Sequence, residues 1–191
     1  MSFYDFAKDF AGPLVGAAAT IIAWRTFRQT RAVASKRATL DLICQLAKDS
    51  HYNEALGKIR KMRRDSVDSG TLLTELRRKD GTLAEQDLRR ERYEAARTVL
   101  NALSIYANGI RSGALDEQSF KDYYYSTYVE IVGSLGGLIE SIRVQAKKVI
   151  KESKHVSADT LYSELIWLQE RWKNAPLTLN PKKTNWPRFW N

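Results

Sequence analysis

Phe10 to Trp24 is a stretch of fifteen residues without a charge, and it runs directly into Arg25, Arg28 and Arg31. No other feature restricts the fold as strongly, because so much apolar surface in one continuous segment must be covered by lipid, by protein or by both. As a helix the run is about 22 Å long, short of the roughly 30 Å hydrocarbon core of a bilayer. Its flanks lengthen it. Phe3, Tyr4 and Phe6 precede it and Trp24 and Phe27 follow, residue types that favour the two interfaces of a membrane. Counted from Phe6 to Phe27 the helix reaches about 33 Å, with Lys8 and Asp9 near one headgroup layer.

A cleaved secretion signal has the opposite charge order, basic before the apolar run and small residues after it. Here Asp5 and Asp9 outnumber Lys8 before the run, and the arginines lie beyond it. The expected reading is a single-pass anchor in a bacterial inner membrane, with the N-terminus outside and everything from Arg25 onward cytoplasmic. An ordinary buried helix and an interfacial helix are the alternatives. Gly12, Gly16 and Thr20 recur four apart, with Ala23 beside them and Trp24 closing the run, so one face is smooth enough for a second helix to approach. Pro13 falls near the start of the helix, where its missing N–H matters least.

The remainder reads as all-α: an N-terminal transmembrane helix continuing into a cytoplasmic helical bundle. "RTFRQTRAVASKRATLDLICQLAKD" contains neither Gly nor Pro, so the anchor is expected to continue as one rod to about Asp49, amphipathic from Ala38 with Leu40, Ile43 and Leu46 on one side. Leu56, Ile59 and Met62 mark a second helix, and Leu72, Leu73 and Leu76 a short third between turns. Thr82 followed by Glu85 is a capping box, opening a long helix to about Arg111. Asp116 caps the next, which "GSLGG" bends or interrupts, and Ser157 caps a last helix through Leu161, Leu165, Leu168 and Trp172. No segment alternates long enough for a strand. Three divisions follow: an anchor over 1–31, a bundle over 32–173, and a Pro/Trp-rich extended tail over 174–191, which packs on its own bundle, on a neighbouring subunit or on the membrane.

The net charge is +9, and from Arg25 to Arg64 eleven Lys or Arg face three Asp or Glu, so this stretch holds eight of the nine. An anionic membrane face and a nucleic acid are both attracted to such a block. Arg60, Lys61, Arg63 and Arg64 crowd one helix end, where they offset the helix dipole, contact lipid headgroups or contact RNA. No aromatic residue interleaves them to stack bases. The single cysteine, Cys44, is expected on the apolar face of its helix and excludes an internal disulfide. One cysteine and two separated histidines, His51 and His155, are too few for a closed zinc site. No catalytic residues, metal or cofactor are expected. A phosphate loop and a nucleophile elbow are absent. The Arg/His pair of HEPN-type ribonucleases is missing as well: Gln45, Leu46 and Ala47 precede His51, and Val149, Ile150 and Lys151 precede His155.

"RATLDLICQLAKD" (37–49), "LNALSIYANGIRSGALDE" (100–117) and "LIWLQERW" (165–172) together resemble an uncharacterised bacterial family of small proteins with one N-terminal membrane helix and a cytoplasmic helical domain. The architecture is also similar to the small membrane accessory proteins of type VI-B CRISPR systems. That resemblance implies a homo-oligomeric membrane pore supporting antiphage defence, with an RNA or protein partner from the defence system. The expectation is then a pore-forming or membrane-perturbing protein with Arg25, Arg28 and Arg31 at the cytoplasmic mouth. A membrane-tethered binding module without pore activity is the alternative.

Overall fold

A computed structural model describes residues 3–150 and 160–174 of the chain, with the side chains of all of these except 3–15 and 149–150. Among the described residues there are seven helices and no strand: α1 (Phe3–Lys48), α2 (Ser50–Arg64), α3 (Leu72–Arg77), α4 (Leu83–Arg111), α5 (Glu117–Ser134), α6 (Gly136–Ile150) and α7 (Ser163–Asn174).

Short polar caps separate them. Asp49 turns the chain out of α1, and its carboxylate accepts the Tyr52 N–H at 3.1 Å to start α2. Thr82 and Glu85 form the reciprocal capping box of α4, with Thr82 N donating to Glu85 Oε2 at 2.7 Å and Glu85 N to Thr82 Oγ1 at 3.3 Å. At the α4–α5 corner Gly113 takes φ +72°, which a side chain rarely adopts, and Asp116 then accepts the Ser119 N–H at 2.8 Å. The "GSLGG" segment does interrupt the helix, at Leu135 between α5 and α6.

The bundle is built round α4, which packs against α2, α3, α5 and α7. Its Ala96, Val99, Leu100, Leu103 and Ala107 form a solvent-free stripe at helical spacing. The aromatic part of the core centres on Phe120, stacked between Tyr106 (4.8 Å) and Tyr124 (5.2 Å) and tilted against Trp172 (5.9 Å). Three polar handles around it are bonded to other helices: Tyr106 donates to Leu42 O (2.8 Å), Tyr128 to Leu165 O (3.0 Å) and Trp172 Nε1 to Glu117 Oε1 (3.1 Å). These three bonds dock α1 and α7 on the centre of the bundle.

Two expectations about α1 are corrected. Leu40 and Cys44 are exposed, while Thr39, Ile43 and Leu46 face the bundle. The reason is Thr39. Its hydroxyl donates to Ser35 O and accepts the Asp116 N–H, both at 2.8 Å, and this cross-link to the start of α5 turns Thr39 inward rather than its larger neighbour. At the other end of the chain α7 begins at Ser163; the expected cap Ser157 and the tail residues 175–191 lie outside the described residues.

Candidate functional site

The one long element that leaves the bundle is α1. Of its 46 residues, those from Gly16 to Ala34 are exposed without exception, Ser35 is the first half-buried one and Thr39 the first buried. The uncovered part is about 28 Å of helix. Gly12 and the rest of residues 3–15 continue the same helix, but their side chains lie outside the described residues. A Cβ added at Gly16 would meet nothing, and the Thr20 hydroxyl is turned onto Gly16 O at 2.9 Å, leaving its methyl outward. Ala23 is exposed, and Ile21, Ile22, Trp24 and Phe27 are each more than half exposed.

The three arginines end this apolar segment. The Arg28 guanidinium lies over the Trp24 ring at 4.7 Å, a cation–π contact between positions four apart. Arg31 reaches back to the α4–α5 corner, where a Cβ built on Gly113 would be 3.6 Å from its guanidinium nitrogen. Trp24, Arg25 and Arg28 with Gln29 and Ala32 line a shallow surface hollow. Among the described residues no helix is long and apolar enough to cross a membrane. Six of the fifteen uncharged residues, Phe10 to Val15, belong to the undescribed side chains.

Lys61, Arg63 and Arg64 lie on the last turn of α2 with Arg60 just before it, all exposed. They are not equivalent. Arg63 is ion-paired with Glu130 of α5, and Arg60, Arg63 and Arg64 border a shallow groove with Gly57. Arg60 also acts on the interior, its charge opposing the burial that raises the Tyr52 and Tyr124 phenols. A second groove, of about 370 Å³, lies between α2 and α4, lined by His51, Glu54, Lys58, Glu91, Arg97 and Asn101 among others. Its charges are matched across the two helices: Lys58 sits 2.7 Å from Glu54 and 2.6 Å from Glu91, and its hydrogen bond holds the Glu54 carboxyl below the usual range. Among the described residues no group of His, Cys, Asp and Glu could hold a metal ion.

Glu117 carries more than its place at a helix start announces. It takes Arg171 Nε at 2.8 Å as well as the Trp172 indole N–H, clamping α7 to α5. Nothing in the local sequence marks this, because its partners are more than fifty residues away.

These features define an all-helical bundle that carries one long, partly uncovered N-terminal helix with a basic collar. The chain belongs to the family described as Domain of unknown function (DUF4760), which matches it over residues 13–172. The match takes in the exposed half of α1 as well as the whole bundle, and stops at Trp172. No curated protein and no solved structure matches the chain.

Proposed function

We propose that the chain is a membrane-attached helical module in which the exposed half of α1 is the attachment element. One observation carries this reading: Ile21, Ile22, Trp24 and Phe27 stand uncovered on a helix that carries Arg25, Arg28 and Arg31 along the same turns and just beyond. Lipid covers apolar side chains of this kind while guanidinium groups settle at anionic headgroups, and Trp favours that same boundary layer. Counted from Phe6 to Phe27, the same helix is about 33 Å long, enough to reach across the bilayer rather than lie on it. The orientation that follows has the N-terminus outside and the bundle in the cytoplasm.

Flotation of the full chain with vesicles of phosphatidylcholine and phosphatidylglycerol tests the reading. The wild type is expected in the floating fraction and to resist a high-salt wash, whereas Ile21→Glu with Ile22→Glu remains at the bottom. Wild-type protein that stays at the bottom in low salt removes the membrane reading.

A pore is the second reading, drawn from the architectural similarity to CRISPR accessory proteins and from the open face at Gly16, Thr20 and Ala23. In it, copies of the anchor surround an aqueous path in an antiphage response. The Arg28 guanidinium is held over the Trp24 ring, which favours an anchoring role for that arginine over a pore-lining one. Dye entry into cells expressing the chain separates the two, since an anchor without a pore leaves entry at the level of an empty vector.

A further inference from the structure

The outer face of α1 has a repeat that its exposure brings into view. Ala19, Ala23, Thr26 and Thr30 follow one another by steps of four, three and four, and all are exposed. The same alternation continues through Val33, Arg37, Leu40 and Cys44, again all exposed. Steps of four and three are the seam of a left-handed coiled coil, here sustained over more than three heptads. The bundle leaves the seam residues themselves uncovered: its contacts with α1 come from Thr39 and Leu46 on another face and from Ile43, which flanks the seam beside Cys44.

Three details fit a second helix lying along it. The Thr26 and Thr30 hydroxyls are spent within the helix, on Ile22 O and Thr26 O at 2.9 Å each, so at these two positions the seam carries no unsatisfied donor. Arg25, Arg28 and Arg31 all fall outside the seam and outside the positions that flank it. The flanking positions are complementary in one arrangement only. In a parallel pair, the residue preceding each a position faces a residue five further along the partner. That places Ile22 against the second copy's Phe27, and Lys36 against its Asp41. Among the described residues neither Lys36 nor Asp41 has an ion-pair partner within the chain. Asp41 is also the first acidic residue after Asp9.

We infer that the occupant of this face is a second copy of the chain, joined by a parallel, in-register coiled coil of the two α1 helices from Ala19 to Cys44. Val33 and Leu40 supply its apolar seam, and Lys36–Asp41 pairs fix its sense. Arg37 takes the single charged seam position, where a long polar side chain favours one register at some expense of stability. The inference deepens the membrane reading, in which both helices must enter the bilayer with the same polarity, and it fails separately from it.

Cys44 reports directly on the pairing. In the parallel register two Cys44 residues face each other across the axis, near the roughly 5.5–6 Å Cα separation of a disulfide. Full-length protein in mild detergent is expected to have a dimer mass by light scattering. Air oxidation with copper phenanthroline, which takes two electrons and two protons from the thiol pair, is expected to give a covalent dimer. Val33→Asp, at an exposed position, should leave the helix content unchanged and reduce the covalent product by about tenfold. Lys36→Asp should reduce it too, and Lys36→Asp with Asp41→Lys should restore it. A monomer at every concentration overturns the inference, as does a dimer that oxidation does not join. Oxidation equally efficient in Val33→Asp, or no recovery in the charge exchange, overturns it as well. Flotation of Val33→Asp with vesicles reads the membrane reading independently.

Discussion

At the scale of single residues, a few close contacts decide how the bundle is assembled. Gly137 at the start of α6 lies so near the loop before α3 that an added Cβ would be 2.8 Å from Gly70 N and 2.9 Å from Gly70 Cα. Backbone cannot yield as a side-chain tip does, so Gly137→Ala should destabilise the fold by about 1–3 kcal/mol, read as a lower urea midpoint. Thr39→Val removes the acceptor of the Asp116 N–H while keeping the shape, and should destabilise by about 1–3 kcal/mol; Thr39→Ser should recover much of the loss. The core phenols set an alkaline limit. Burial, then the neighbouring Tyr124, raises Tyr106 from 10.0 to about 12, and burial also pushes Tyr52 and Tyr128 above their ordinary value. Above pH 10 the unfolded chain gives up these protons and the folded chain keeps them, so stability falls as pH rises. The Tyr106 share is intact below pH 10 and is lost between pH 10 and about 12, and Tyr106→Phe should flatten the decline of the urea midpoint over that window. None of these contacts can be read from neighbours in the chain, since each joins residues far apart in sequence.

At the scale of elements, α1 serves two purposes along one axis. Its C-terminal part is an amphipathic helix docked by Thr39, Ile43 and Leu46, and its middle is bare. The break between the two is legible as a change in composition, because no acidic residue occurs from Phe10 to Leu40. If the arginine collar sits at anionic headgroups, each cation contributes about 1 kcal/mol. Replacing Arg25, Arg28 and Arg31 together by Gln should then weaken binding to phosphatidylglycerol vesicles by about a hundredfold and flatten its salt dependence, with little effect on neutral vesicles. The caps at Thr82 and Asp116 were visible as Thr/Asp signals before helical runs, and the structure uses both; Asp49, read only as the end of the first rod, proves to cap α2 as well. The facing of α1 was not visible in the same way. Leu40 and Cys44 have the character of core residues, yet a buried threonine with two hydrogen bonds determines the rotation of the helix.

At the scale of the whole molecule, stability depends on the docking of α7. Trp172 is fully buried against Phe120, Tyr125 and Tyr128, while its indole N–H and the neighbouring Arg171 both reach Glu117. Trp172→Ala should remove about 3–5 kcal/mol, a large part of the 5–15 kcal/mol typical of a domain, and calorimetry should show a correspondingly lower melting temperature. Glu117→Gln keeps the shape and weakens only the charged clamp, so its effect should be smaller by the same measurement.

The sequence by itself determined that this chain is helical, where α4 and α5 begin, and that α1 has an uncharged stretch followed by cations. Those properties depend on residues within a turn or two of one another, through caps, spacing and local charge. Only the tertiary structure decided which face of α1 meets the bundle, that Arg63 is tied to Glu130 while its neighbours stay open, and that Glu117 holds the last helix. The physical reason is distance along the chain. A hydrogen bond from Asp116 to Thr39 spans 77 positions, and no local pattern records a partner that arrives only when the bundle closes.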